Sequence, residues 1–143
     1  VVKSMCNNVA REAGYKYQIQ FPEHPINISR ELEVCLFRVI QESLNNIIRH
    51  AKATSFNINL LLDDETLVLF ISDDGIGFKP KTLLNEKYIS DGLGVMNMQD
   101  TVEKLNGNFQ IDSTNNSGTV IIAAFPIETI NQDEKSSYKN ISS

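Results

Sequence analysis

Glu42, Asn46 and His50 are spaced by four in a stretch whose apolar residues recur with helical periodicity, residues 30–51. At about 100° per residue, Leu36, Ile40, Leu44, Ile47, Ile48 and Ala51 form a broad apolar arc, with Arg38, Gln41, Asn45 and Arg49 centred opposite. The three polar residues do neither. Their row drifts about 40° per step and interleaves with Cys35 and Val39 at the edge of the arc. A carboxylate, an amide and an imidazole aligned at a core boundary need partners, because burying them alone is costly. Two readings stay open on this segment: a solvated helix edge with an i,i+4 ladder, or one wall of a ligand cleft. The same geometry separates two adjacent asparagines. Asn45 points to water, whereas Asn46 lies in the row and is the candidate ligand for a metal or a phosphate oxygen.

Three glycine-bearing segments follow in order. Asp73-Asp74-Gly75-Ile76-Gly77 comes directly after an apolar run. A carboxylate closing a central strand can accept a hydrogen bond from an exocyclic amine, as on adenine, and would face the oxo group of guanine with acceptors unpaired. The glycines allow a flat ring to approach the backbone, although Asp-Gly is also a common turn dipeptide. Asp91-Gly92-Leu93-Gly94 opens an expected helix 94–105. There, phosphates would reach backbone N–H groups at a helix N-terminus that favours negative charge; a loop hinge is the alternative. Ser117-Gly118-Thr119 leads into the last strand and reads equally well as a hairpin turn. The loop 78–91, between the first two segments, is long enough to serve as a lid over a bound nucleotide.

The elements that must position these groups are legible from periodicity. Residues 2–13 read as a helix with Val2, Met5, Cys6, Val9 and Ala13 on one side, ended by Gly14. Tyr15 to Phe21 alternates as a strand, with Tyr17, Ile19 and Phe21 on one face. Ser29 reads as the N-cap of helix 30–51. Strands 55–62 and 66–72 are joined by Asp63-Asp64-Glu65. In the second, Leu67, Leu69 and Ile71 fill one face while Val68 and Phe70 fill the other, a pattern that suits burial on both sides. Helix 94–105 presents Val95, Met98, Val102 and Leu105, and strands follow near 108–112 and 118–125. Residues 128–143 are polar and aperiodic, as in a disordered tail. The expectation is one domain over 1–127, with 1–14 also readable as the end of a preceding connector helix. Its fold class would be α/β, a two-layer sandwich of a mixed, mostly antiparallel sheet with about three helices on one face.

Bulk properties exclude more than they identify. The net charge of −5, with Lys and Arg scattered singly, argues against a nucleic-acid surface. No apolar stretch approaches the roughly 18 residues of a membrane span, and Val1-Val2-Lys3 leads into a polar, amphipathic stretch unlike a signal peptide. Beginning with Val, the chain reads as part of something longer. Cys6 and Cys35 show no C-x-x-C pairing; Cys35 reads as a small core residue, and a reducing cytoplasm is the expected compartment.

Four segments now stand in order: Gln41-Glu42-Ser43-Leu44-Asn45-Asn46-Ile47-Ile48-Arg49-His50-Ala51, Asp73-Asp74-Gly75-Ile76-Gly77-Phe78, Gly92-Leu93-Gly94-Val95-Met96-Asn97-Met98, and Gly118-Thr119. They resemble the N, G1 and G2 boxes and last glycine element of the ATP-binding superfamily shared by histidine kinases, gyrase, Hsp90 and MutL. Within it the chain resembles the nitrate-sensor and degradative-enzyme-type branch of sensor histidine kinases, across roughly residues 15–126. The resemblance implies a Bergerat-type ATP-binding fold with a left-handed crossover, and ATP and Mg2+ as cofactors. It implies that Asn46 holds the magnesium, that Glu42 orients or deprotonates the acceptor, and that Arg49 and His50 approach the phosphates. Asp73 would bind the adenine amine, with Gly75 and Gly77 giving the base access. Gly92, Leu93, Gly94 and Val95 would close on the phosphates, and Thr119 would support the adenine end. Two departures stand out: Gln99-Asp100 where the branch often has Glu-Arg, and Asn106-Gly107 where it often has Gly-Gly.

A histidine kinase also needs an acceptor histidine on a dimeric helical hairpin. His24 lies in a Pro-flanked loop and His50 in the row expected to face the nucleotide. The expected partners are therefore the protein's own dimerisation and phosphoacceptor helices, outside this chain, and a response regulator with a helix-turn-helix output domain. The isolated domain would be monomeric, without nucleic-acid or membrane contact, and unable to autophosphorylate alone. An anti-sigma-type serine kinase and a nucleotide-gated interaction module of the same superfamily are the alternatives.

Overall fold

The computed structural model describes residues 2–23, 26–49, 53–75, 86–113 and 118–127; at 86–93 it is the backbone that is described. Helix α1 (Val2–Ala13) buries Cys6 and half-buries Met5 and Ala10. It ends where the Gly14 N–H donates to the Ala10 carbonyl at 2.7 Å. Strand β1 (Lys16–Gln20) keeps the expected alternation, with Tyr17 and Ile19 inward. Phe21, read as a third inward residue, lies past the strand end and is exposed.

Helix α2 (Arg30–Arg49) starts as read, because the Leu32 N–H donates to Ser29 Oγ at 3.1 Å. Such a cap contributes about 1 kcal/mol. Arg38, Gln41, Asn45 and Arg49 are exposed, and Leu36, Ile40, Leu44 and Ile47 are buried, all as expected. The buried face nevertheless centres near Ser43, rotated by about 70° from the aliphatic centre toward the polar row. Cys35, Val39 and Asn46 thereby fall inside, while Ile48, counted in the apolar arc, is 42% exposed. Small side chains explain the rotation. Ser43 Oγ donates to the Val39 carbonyl at 2.7 Å and lies 3.6 Å from Met98 Sδ, so a serine occupies the centre of the contact without an unpaired hydroxyl. Residues 50–52, including Ala51 of the arc, lie outside the described residues.

Strands β2 (Ser55–Asp63) and β3 (Thr66–Asp73) form a hairpin closed by Asp64 at φ 51°, a left-handed conformation that Asp tolerates. Strands β4 (Asn108–Ser113) and β5 (Thr119–Pro126) complete a five-stranded sheet in the order β1-β2-β3-β5-β4. Only β1 and β2 run parallel, linked through α2; the other neighbours are antiparallel. The mixed, mostly antiparallel α/β sandwich is thus as anticipated. Phe56, Ile58, Leu67, Leu69, Ile71, Ile121, Ala123 and Phe125 form one core with Cys6, Leu36, Val39, Leu44, Met98 and Val102 from the helices. Each fully buried aliphatic or aromatic side chain is worth roughly 1.5–3 kcal/mol. Burial on both sides of β3 is not observed. Val68 and Phe70 are half-buried, shielded laterally by β2 and β5 on a face that no described helix covers.

The largest departure is α3 (Glu86–Glu103), which begins eight residues before the expected start at 94. The earlier start was hidden by Gly92 and Gly94. A glycine costs only about 1 kcal/mol in a helix interior, so two of them do not oblige a helix to begin after them. The helix stops at Asn106, φ 60°, with the Gly107 N–H donating to the Val102 carbonyl at 3.0 Å. Asn supplies the left-handed residue that ends a helix, so the Asn106-Gly107 departure leaves the stop intact. Among the described residues, no helix is long and apolar enough to cross a membrane.

Candidate active site

The rotation of α2 decides the fate of the polar row. Asn46 is 9% exposed, and its Oδ1 accepts no hydrogen bond among the described residues. An unsatisfied buried amide oxygen costs about 1–3 kcal/mol, so its retention calls for a ligand. A hard, neutral oxygen suits Mg2+, which takes one or two protein oxygens and completes its shell with water and phosphate. Asn46 fits such an ion. No group of three or more His, Cys, Asp or Glu makes a metal cage among the described residues.

Glu42, one turn before Asn46, is half-buried and meets α3. A Cβ on Gly94 would lie 2.2 Å from Glu42 Oε1 and 3.1 Å from its Cδ, so this glycine gives the carboxylate its space. Glu42 also lines a cleft of about 480 Å³ between α2 and α3, with Arg38, Gln41, Asn97, Asp100 and Lys104. Val95 is half-buried against the core. Gly92, Leu93 and Gly94 lie inside α3 and not in its first turn, so the expected helix N-terminus at the G2-like segment is corrected. In this conformation the backbone N–H groups of 92–95 belong to the helix ladder.

The second cluster forms where β3 ends. Asp73 pairs with Phe56 of β2 and Thr119 of β5. One of its oxygens, Oδ1, accepts the Gly75 N–H at 2.8 Å. Gly75 is buried, and a Cβ there would stand 3.4 Å from Ala53 Cβ, so the turn after β3 rests on the segment that follows α2. Gly118, at φ 80°, lies so close that its Cβ would stand 2.0 Å from the Asp73 carbonyl oxygen. Thr119 Oγ1 shares a hydrogen bond with Ser113 Oγ at 3.0 Å. Arg49 is exposed at the end of α2; His50 and Gly77 lie outside the described residues, as do His24, residues 78–85 of the expected lid and the tail from 128.

Sequence reasoning missed three neighbours of Asp73. Tyr15 is buried, with its ring edge-on to Phe56 at 6.1 Å. Burial, then the charges of Asp73 and Asp74, push its phenol above the usual range. Asp74 and Thr54 are the others. Partial desolvation pushes the Asp74 carboxyl up, but hydrogen bonds from the Thr54 hydroxyl and from Ser55 and Thr54 N–H outweigh it and hold the group at about 2. The Asp-Asp doublet was the available signal for Asp74. Tyr15 and Thr54 carry none, because the parallel pairing of β1 with β2 brings Tyr15 to the site and the antiparallel pairing of β2 with β3 brings Thr54.

Comparison with known proteins agrees with this fold. The family model described as histidine kinase-, DNA gyrase B-, and HSP90-like ATPase matches residues 31–129. The oxygen sensor histidine kinase NreB of Staphylococcus carnosus is 34% identical over 68% of the chain, which spans 27% of that relative. The histidine-protein kinase/phosphatase DegS of Brevibacillus brevis is 34% identical over 77% of the chain, which spans 25% of it. The chain thus spans about a quarter of the length of these curated relatives. The solved structure of Acinetobacter baumannii histidine kinase AdeS superposes with a TM-score of 0.68 at 18% identity, covering 90% of this chain and 62% of that one, which supports the fold. The chain belongs to the histidine kinase-, DNA gyrase B- and HSP90-like ATPase family and, within it, is similar to sensor histidine kinases.

Proposed function

We propose that this domain binds Mg-ATP and transfers its γ-phosphoryl group to a histidine on a separate helical hairpin of a longer two-component kinase. The observation that carries the reading is the buried, unpaired Oδ1 of Asn46, one helical turn after Glu42. Phosphoryl transfer asks the protein chiefly for positioning and charge neutralisation. Asp73 would accept the adenine amine, with Gly75, Gly77 and Thr119 shaping that end. Magnesium held by Asn46 would neutralise phosphate oxygens, and Arg49 and His50 would add positive charge or donors beside them. Glu42 would orient the incoming imidazole or take its proton. For Gly92, Leu93, Gly94 and Val95 to donate N–H groups to phosphates, the first part of α3 would have to unwind, which the two glycines make inexpensive. The phosphoacceptor hairpin and a response regulator with a helix-turn-helix output domain are the proposed partners, and the domain would act in the cytoplasm.

The test is calorimetric titration of the chain with ATP and GTP, with and without magnesium. Expected are Mg-dependent binding of ATP, at least tenfold preference over GTP, loss of the magnesium dependence in Asn46→Ala, and loss of the preference in Asp73→Asn. Wild-type behaviour in both variants would remove the site.

A further inference from the structure

Asp74 is exposed, yet its carboxylate accepts three hydrogen bonds. Its Oδ1 accepts the Thr54 N–H at 2.7 Å and the Ser55 N–H at 2.9 Å, and its Oδ2 accepts the Thr54 hydroxyl at 2.5 Å. Its own N–H donates to the Ser55 carbonyl at 3.3 Å, the last backbone bond between β2 and this end of the hairpin. Beyond that bond the main chain leaves the sheet and turns at Gly75. Thr54 is in turn held by the Lys16 N–H, which donates to its carbonyl at 3.0 Å.

We infer that Asp74 is a positioning residue for nucleotide recognition: its carboxylate ties the turn carrying Asp73 and Gly75 to residues 53–55, the segment that follows the helix bearing Glu42 and Asn46. The inference rests on the proposed adenine role of Asp73. A selective carboxylate must point one oxygen at an amine within a few tenths of an ångström, because hydrogen bonds weaken steeply off geometry. Asp73 stands on the last paired residue of β3, and strand ends fray unless tied. On one side the Gly118 backbone presses on the Asp73 carbonyl. On the other, the three bonds that Asp74 accepts hold the next residue to Thr54 and to Ser55 at the start of β2. Charge-assisted bonds of this kind are about twice as strong as neutral ones. Three such bonds on one exposed carboxylate fix the local geometry. That geometry links the two halves of the site, the end of β3 and the chain emerging from α2.

The experiment measures ATP and GTP affinities and urea midpoints for Asp74→Ala, Asp74→Asn, Asp73→Asn and the Asp73→Asn/Asp74→Ala double variant of the full chain. Asp74→Ala is expected to weaken ATP by about tenfold and lower the ATP/GTP ratio. Asp74→Asn, whose amide oxygen still accepts both N–H groups and whose NH2 can donate to Thr54 Oγ1, should stay within about threefold of wild type. On the Asp73→Asn background, Asp74→Ala should add little, since residues acting through one another are non-additive. If Asp74→Ala is too unstable to assay, Thr54→Val removes the hydroxyl bond alone and should show a smaller loss with the same non-additivity. Full additivity, or an unchanged ATP/GTP ratio in Asp74→Ala while Asp73→Asn loses its preference, overturns this inference alone. An Asp73→Asn variant that binds like wild type overturns the inference together with the adenine reading.

Discussion

Replacing Gly118 by alanine tests the packing on which the adenine end of the site depends. A Cβ at this position would lie 2.0 Å from the Asp73 carbonyl oxygen, 3.0 Å from its carbon and 3.3 Å from Asp74 Cα, all backbone atoms. Ordinary contact requires the strands to part by more than an ångström. The residue also sits at φ 80°, a left-handed conformation that costs an L-residue with a Cβ about 1–2 kcal/mol. Forced displacement in a packed region adds about 1–3 kcal/mol. The expected loss is therefore roughly 2–5 kcal/mol, a large share of the 5–15 kcal/mol typical of a domain. With a urea slope of about 2 kcal/mol per molar, the midpoint should fall by roughly 1–2.5 M. Displacing Asp73 should also weaken ATP at least tenfold, about 1.4 kcal/mol. Equilibrium urea unfolding and calorimetry read both quantities. A Gly118→Ala chain within 0.5 kcal/mol of wild type and with unaltered ATP affinity would refute the close approach of β5 to the end of β3.

Three further outcomes follow from the geometry. Gly94→Ala should leave the fold as stable or stabilise it by up to about 1 kcal/mol, because alanine favours the helix and the clashing atoms are the movable end of Glu42. Phosphoryl transfer to a histidine-bearing hairpin supplied in trans should fall at least tenfold; unchanged transfer would remove Glu42 from the chemistry. Asp74 should contribute a pH-dependent stability. Its folded pKa, held at about 2, lies below the ordinary value of 3.8, so the contribution is present above pH 3.8 and disappears as the pH falls toward 2. The difference in urea midpoint between wild type and Asp74→Ala should be flat near neutrality and close over that interval; a constant difference down to pH 2 would contradict the bonds. Cys6 and Cys35 are buried, and burial pushes both thiols up to about 11. Mass spectrometry should find neither alkylated at pH 8 in the native chain and both alkylated in urea, since only the thiolate reacts.

Much of this protein was legible in the order of its residues, because periodicity reports which side of an element meets a core. Alternation in 15–21 and 66–72, the 3.6-residue repeat in 30–51 and the Ser29 cap each mark an element found among the described residues, at Lys16–Gln20, Thr66–Asp73 and Arg30–Arg49. Asn46 was separable from Asn45 by angle alone, and one is buried while the other is exposed. What one dimension could not carry was the exact rotation of α2. Ser43 and Cys35 count as weakly apolar or polar in a pattern, yet their small size lets α3 approach, and that contact turns Asn46 inward and Ile48 out. The start of α3 was likewise undecidable locally, because a glycine pair lowers helix propensity without forbidding a helix. The tie between Asp74 and Thr54 joins residues twenty positions apart and exists only because β2 pairs with β3. Local spacing determined the elements and the chemical types on offer; packing between elements decided which of those groups share a site, since contact across the fold depends on size and register that no single segment contains.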